Sequence, residues 1–395
     1  MVPVRSAPHI VVVGAGTFGG WTALSLLRRG ARVTLVDAWG AGNSRSSSGD
    51  ETRLIRTMYN GNRLYTDLAV RALSLWRDAE AQWARKVFIE TGVLYLFEDD
   101  DDFAMKSIPL MRERGVAVQA LTPAEAATRF PQIAFDDVRT AYFEPNAGVL
   151  RARAACELVR DAVVREGGVY LRAHVRPGRF ESSRLSGVTV DDGRAIDGDA
   201  FVFACGPWLG TVFPDVVGDG IAATRQDVMY FGTPAGDCRF DASAFPGWIN
   251  FGAGRWYGMA SHEPRVVKIA DDVAGPPIDP TSLDRVISAD AVRSARAFLR
   301  RRFPALAVQP VVESRVCQYE YAPDADFLLD RHPAADNVWL AGGGSGHGFK
   351  MGPAVGEYVA RLVLDHAVPD GQFTYAHFAD GRRRVDRADG RKIHW

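Results

Sequence analysis

Residues 9–37 read HIVVVGAGTFGGWTALSLLRRGARVTLVD. His9–Val13 is an apolar run without alternation, the pattern of a parallel strand covered on both faces. Gly14-Ala15-Gly16-Thr17-Phe18-Gly19 follows at once and satisfies G-x-G-x-x-G. Trp21, Leu24, Leu27 and their apolar neighbours recur at helical spacing, Gly30 supplies a stop, and Arg32–Asp37 reads as a second strand ending on an acid. The spacing predicts a βαβ unit of about thirty residues. In such a unit Gly14 permits the tight turn, Gly16 lets the backbone approach a pyrophosphate, and Gly19 lets the helix pack close to the strand. Thr17 and Phe18 open the helix, whose N-terminus faces the phosphates. Asp37 lies eighteen residues past Gly19, where a carboxylate can accept from a ribose diol. A bare Gly motif is weak, but strand, helix and acid in register indicate a dinucleotide site.

Outward from that unit, LYTDLAVRALSLWRDAEAQWARK reads as a long amphipathic helix and GVLYLFEDD as a strand. The strand runs into the acidic stretch Glu98–Asp102, which the charge pattern predicts to be a solvated turn. RARAACELVRDAVVREGG is another helix and VYLRAHV a strand, and AIDGDAFVFACGPWLG returns to a buried strand and Gly turn. From ATRQDVMYFGTP to PVVESRVCQYEY, β-rich alternation predicts a second sheet. NVWLAGGGSGHGFKMGPAVGEYVARLVLD is again strand, Gly turn, helix, and the basic tail GRRRVDRADGRKIHW is expected to be exposed. The fold expected is α/β: a Rossmann-like FAD-binding domain assembled from 1–85, 146–215 and 320–395, with a β-rich α+β substrate domain at 86–145 and 216–319. No internal repeat interrupts this reading.

Composition narrows the function. The 395 residues are 47% hydrophobic and 24% charged with a net charge of -1, an ordinary globular balance without a nucleic-acid footprint. The four cysteines have no C-x-x-C or paired spacing, so neither a metal site nor a disulfide framework is expected. No run of eighteen apolar residues and no signal-like N-terminus is present, so no membrane span and a cytoplasmic location are expected. The Gly motif does not choose between NAD and FAD. The second Gly-rich turn, Gly344–Gly348, favours FAD, because a helix starting there would stabilise negative charge at the N1/C2=O edge of a reduced isoalloxazine.

Four stretches, SSGDETRLIR, FEPNAGVL, YGMASHEPRVVKI with IDP beyond it, and CQYEYAPDADFLLDRHP with SGHGFK beyond it, run through nearly the whole chain. Together they resemble the monomeric sarcosine oxidase and N-methyltryptophan oxidase family of FAD-dependent amine oxidases. The resemblance implies FAD bound covalently through Cys317, whose distance of thirty-three residues to Lys350 agrees with the family without a gap. Only a thiolate reacts, and Arg315, two residues earlier on the strand, should share the face of Cys317 and help to hold one. Further cofactor contacts are implied at Ser47, Thr52, Arg53, Val175, Gly206, Trp208, Gly344, Gly346, Gly348 and His347.

The resemblance also assigns the substrate pocket. Arg56 and Lys350 match the arginine and lysine that grip the substrate carboxylate; a guanidinium offers a bidentate fork. Lys268 matches the lysine near flavin N5 that promotes reaction with O2 by stabilising superoxide-like charge. Tyr257, Tyr319 and His347 match pocket residues. Asp272 departs from the family, where a histidine is common, and an acid there could select a second positive charge on the substrate. Trp248 and Phe251 replace smaller residues, and SHEPRVV replaces a Gly-rich segment, so a reshaped pocket is expected. The implied activity is oxidation of the C–N bond of a secondary amino acid, N-methyl or cyclic, with O2 as acceptor, giving imine or aldehyde and hydrogen peroxide. The alternative is a dehydrogenase of the same fold that acts on a primary amino acid or another amine and passes electrons to a different acceptor. A monomer or weak dimer with a small amino-acid-like substrate is expected.

Overall fold

A computed structural model describes residues 7–261 and 265–385. The part of SHEPRVV at 262–264 and the basic tail beyond 385 lie outside the described residues. His9–Val13 and Arg32–Asp37 form strands joined by the helix Thr17–Arg28, as the spacing predicts. They sit in a six-stranded sheet ordered Leu328–Arg331, Val338–Gly342, Ala200–Phe203, His9–Val13, Arg32–Asp37, Val169–Arg172. All neighbours are parallel except the edge pair Leu328–Arg331 with Val338–Gly342. His9–Val13 therefore has a parallel neighbour on each side, the arrangement that opens a crevice beyond the carboxyl ends of the strands.

Close backbone contacts explain the glycines. Gly14 has φ +105°, and a Cβ there would lie 2.2 Å from the Ala204 carbonyl oxygen; a Cβ on Gly19 would lie 1.9 Å from the Gly14 oxygen. A second helix, Gly352–Leu364, follows the Gly-rich turn after one tight turn at Phe349–Met351. It crosses the first helix with almost no separation, since a Cβ on Gly356 would meet the Trp21 carbonyl carbon at 2.5 Å. The Thr17 hydroxyl donates to the Phe349 carbonyl at 3.0 Å, so both helices begin at one place above the sheet.

The second sheet has eight strands ordered Val311–Tyr321, Ala222–Gly232, Val266–Asp271, Gly254–Ala260, Gly247–Gly252, Val93–Phe97, Thr140–Glu144, Gln119–Leu121. Its register fixes which side chains share a face. Tyr230 lies opposite Lys268, Lys268 opposite Met259, Val228 opposite Arg315 and Thr224 opposite Tyr319. By alternation, Tyr230, Tyr257, Lys268, Arg315, Cys317 and Tyr319 are on one face. The other face packs Trp248, Trp256, Val267 and Ile269 against Phe298 and Leu299 of the helix Ala289–Arg302. A small sheet of Thr52–Ile55, Gly148–Arg151 and Phe88–Ile89 joins the two larger ones. Among the described residues no helix is long and apolar enough to cross a membrane.

Two expectations are corrected here. Trp248 is fully buried against Phe298 and Phe303 on the face away from the crevice, and Phe251 stacks on Phe97 at 4.7 Å. Neither lines a cavity of the crevice, whereas Ile249, on the sheet face opposite Trp248, does. The stretch Glu98–Asp102 is also more than a solvated turn. Glu98 accepts from Asn250 at 2.7 Å and from the fully buried Arg302 at 3.1 Å, and Asp101 accepts from the Tyr142 hydroxyl at 2.6 Å. Burial works against the Glu98 charge, but its arginine and amide partners pull the carboxyl down to about 2.

Candidate active site

Three cavities adjoin along the crevice. The first, a solvent-open groove of about 1040 Å³, is lined at its phosphate end by Gly14, Gly16, Thr17, Phe18 and Ser47. Asp37 lies in its wall, accepting from the backbone N–H of Ala15 at 2.7 Å and of Trp39 and Gly40 at 2.9 and 2.7 Å. Those bonds fix the carboxylate while leaving lone pairs toward the groove. The far end is aromatic: Trp39 packs on Trp208 at 4.6 Å and on His174 at 5.0 Å, beside Val175 and Gly206. A flat base, a diol and a pyrophosphate thus each meet a suited wall, and FAD fits the residues present.

The second cavity shares Thr17, Phe18, Ser47 and Glu320 with the first and adds Arg53, Gly344, Gly346 and Gly348. Glu320 receives the Gly344 N–H at 3.2 Å on one oxygen, while its buried Oε2 has no hydrogen-bond partner. Burial pushes this carboxyl up to about 7. An unsatisfied buried atom facing a cofactor groove is accounted for by a group that arrives with the cofactor.

Arg53 is the hub of this region. Its guanidinium donates to the carbonyls of Ser47, Gly49 and Thr52, pairs with Asp50 at 3.0 Å, and lies 3.6 Å from Cys317 Sγ. Cys317 is half-buried and lines none of the three cavities; it stands behind Arg53. Arg315 is not the cation at the thiol. It shares the strand face as expected, but Asp50, Glu51 and Glu313 take its guanidinium at 3.2, 3.1 and 2.6 Å. Thr52 contributes its carbonyl, while its buried hydroxyl has no partner.

Lys268 is fully buried, and its ammonium pairs with Asp50 and donates to the Thr52 carbonyl at 2.9 Å. Burial lowers its pKa, and Asp50 opposes that shift. Asp50 also accepts from the Tyr230 hydroxyl, and its carboxyl is held well below the usual range because Lys268 and Arg53 outweigh burial. One carboxylate therefore collects three cations. No motif marked Asp50; the signal was its place three residues before Arg53 in a stretch already singled out.

The third cavity shares Arg53, Tyr319, Gly346 and Phe349 with the second. Arg56 and Lys350 meet in it, both buried, 4.7 and 5.4 Å from the centre of one ring, Tyr59. Arg56 donates to the Met58 carbonyl and Lys350 to that of His347 at 2.8 Å. Burial, reinforced by Arg56, drives the Lys350 pKa well below its ordinary value. Glu144, in FEPNAGVL, received no role from the sequence, yet it braces the arginine segment by accepting from Thr57 N–H at 3.1 Å, its hydroxyl at 2.7 Å and Tyr95 at 2.6 Å. An acid ending a buried strand was the available signal. His347 lies 3.0 Å from the Ala325 carbonyl through Nε2; burial keeps the ring neutral, so Nε2 carries the hydrogen. Tyr257 and Tyr319 touch through their hydroxyls at 3.4 Å, and Tyr319 donates to Asp272 at 3.0 Å. Burial raises the Asp272 carboxyl to about 6 against the pull of Arg255, Tyr319, Arg56 and Lys350. The structure brings together every expected pocket residue except Lys268, which lies behind Asp50 and borders none of the three cavities.

Comparisons with known proteins agree with this geometry. Monomeric sarcosine oxidase of Bacillus sp. (strain B-0618) is 30% identical over 360 residues, covering 90% of this chain and 92% of that protein. N-methyl-L-tryptophan oxidase of Salmonella arizonae is 27% identical over 363 residues, covering 90% and 94%. Among solved structures, L-proline dehydrogenase from P. horikoshii superposes with a TM-score of 0.84 at 23% identity, covering 96% of this chain and 99% of that one. Residues 9–362 match the family model described as FAD dependent oxidoreductase, and the chain belongs to that family, with FAD as its cofactor.

Proposed function

We propose that this enzyme oxidises the C–N bond of a small secondary amino acid, N-methyl or cyclic, and uses O2 as acceptor. The observation that carries the reading is the pair of buried cations, Arg56 and Lys350, over one tyrosine ring at one end of the cofactor crevice. A pocket that holds two such charges suits a carboxylate, and amino acids supply one beside an oxidisable nitrogen. FAD, when bound, supplies the two-electron acceptor for the C–H bond next to nitrogen and hands the electrons on to O2. The first groove and the Gly344–Gly348 turn hold it, and Cys317, 3.6 Å from the Arg53 guanidinium, tethers it through sulfur.

The chain's own work is placement and charge. Arg56 takes the carboxylate as a fork, and the bound anion stabilises the Lys350 ammonium that burial and Arg56 disfavour. Tyr257, Tyr319, Ile249 and Leu54 wall the cavity and exclude water from the reacting carbon. Lys268 is the cation that the family resemblance assigns to the reaction with O2, and hydrolysis of the released imine needs only water. Lys268 is also what favours a second reading: Asp50 neutralises it, which would weaken the reaction with O2 and leave another acceptor. Secondary and primary amino acids should be screened for bleaching of the flavin without air, followed by mixing with O2. Rapid return of colour with stoichiometric peroxide supports the oxidase, slow return supports the dehydrogenase, and no bleaching by any amino acid defeats both.

A further inference from the structure

Asp272 follows the strand Val266–Asp271 and lines the same cavity as Arg56 and Lys350. Its backbone N–H donates to the Arg255 carbonyl, which turns the side chain back toward the cavity wall. The carboxylate takes one side-chain hydrogen bond, from Tyr319, and among the described residues it forms no ion pair. Arg56 donates to the Met58 carbonyl and Lys350 to that of His347 at 2.8 Å, while Arg255, Arg56 and Lys350 pull on the Asp272 charge from outside ion-pair distance. A carboxylate enclosed by protein without a counter-ion is costly. The cavity therefore holds a cationic end for a carboxylate and an acidic end hydrogen-bonded by Tyr319 but without an ion-pair partner among the described residues. A secondary amino acid has both matching charges, joined through one carbon.

Building on the amino-acid reading above, we infer that Asp272 receives the substrate's ammonium group and takes its proton. The N–H bond breaks, an O–H bond forms on the carboxyl, and the lone pair stays on nitrogen, where oxidation of the adjacent C–H bond needs it. No oxidant or further reactant enters this step. The groups that set the acidity of Asp272 come from every element around it: Arg255 and Tyr257 on one strand, Tyr319 and Tyr321 on another, and Arg56, Tyr59 and Lys350 across the cavity. Burial outweighs its cationic neighbours, so the carboxyl titrates near neutrality and can both release and accept a proton.

Two isosteric probes test this on the holoenzyme by perturbation of the flavin spectrum. Glycine betaine carries a carboxylate and a permanent cation, and 3,3-dimethylbutanoate replaces that nitrogen by carbon. The parent should bind betaine about tenfold or more tightly than its isostere. Asp272→Asn should abolish the preference, while Tyr319→Phe, which leaves the acid charged, should keep it. The pH profile of anaerobic bleaching by a secondary amino acid should move to higher pH in Asp272→Asn. Equal binding of the probes by the parent, or a preference and pH profile that survive Asp272→Asn, overturns the role of Asp272 alone. Binding of neither probe overturns the amino-acid reading and this inference together.

Discussion

Arg53 and Cys317 act as one unit, with the buried guanidinium 3.6 Å from the sulfur. Burial disfavours the arginine's charge, yet its pKa is raised, since Cys317 and Asp50 both stabilise it. A hydroxyl in place of the sulfur cannot form the tether. Acid precipitation of Cys317→Ser should therefore leave the flavin in the supernatant, where the parent gives a yellow pellet; a yellow pellet from the variant disproves the link. Lys268 makes a separable prediction. Lys268→Met should leave bleaching by substrate near the parental rate, because the lysine borders none of the three cavities, yet slow reoxidation by roughly 10²-fold, the usual cost of removing one charge-stabilising group. Stopped-flow mixing with O2 gives the answer, and reoxidation at the parental rate would exclude Lys268 from oxygen chemistry.

Between helices, the crossing of Thr17–Arg28 with Gly352–Leu364 brings two N-termini together above the sheet, beside the crevice. Gly356→Ala would put a methyl group 2.5 Å from the Trp21 carbonyl carbon. The helices must part, at about 1–3 kcal/mol. Thermal unfolding should show a Tm lower by several degrees, with weaker flavin retention in a Cys317→Ser background; an unchanged Tm would mean that the crossing yields easily. Legibility followed the same scale. The strand His9–Val13 and the helix after it were readable because burial on both faces leaves an unbroken apolar run and the helix has its own period. Alternation also placed Arg315 on the face of Cys317, correctly. What it could not give was the partner: Asp50 and Glu51, more than 260 residues earlier, capture Arg315. Trp248 was misread because one strand of aromatic residues serves two faces, and only the packed helix Ala289–Arg302 decides which is core. Glu98 was misread because its arginines come from that same distant helix.

Across the whole molecule, buried carboxylates pull the pH dependence of stability in opposite directions. Asp50 and Glu98 have lowered pKa values in the fold, so the stability they contribute is present above the unfolded value, near 4, and is lost as the pH falls below it. Asp272 works the other way. Its carboxyl is raised from 3.8 to about 6 by burial, so the folded protein holds a proton that the unfolded chain has already released between those values. Rising pH across that window therefore removes stability, up to about 3 kcal/mol for a shift of this size, and above it the loss is constant. Asparagine in that position has no proton to lose. Asp272→Asn and the parent should then unfold at nearly the same denaturant concentration near pH 4, and the variant should become progressively more stable toward pH 6, with the gap unchanged from there to pH 8. Urea titrations at each pH measure it directly. A gap already present at pH 4 would trace to lost packing rather than ionisation, and no gap at any pH would mean that Asp272 ionises in the fold as it does in water, leaving no destabilised charge for a substrate ammonium to relieve.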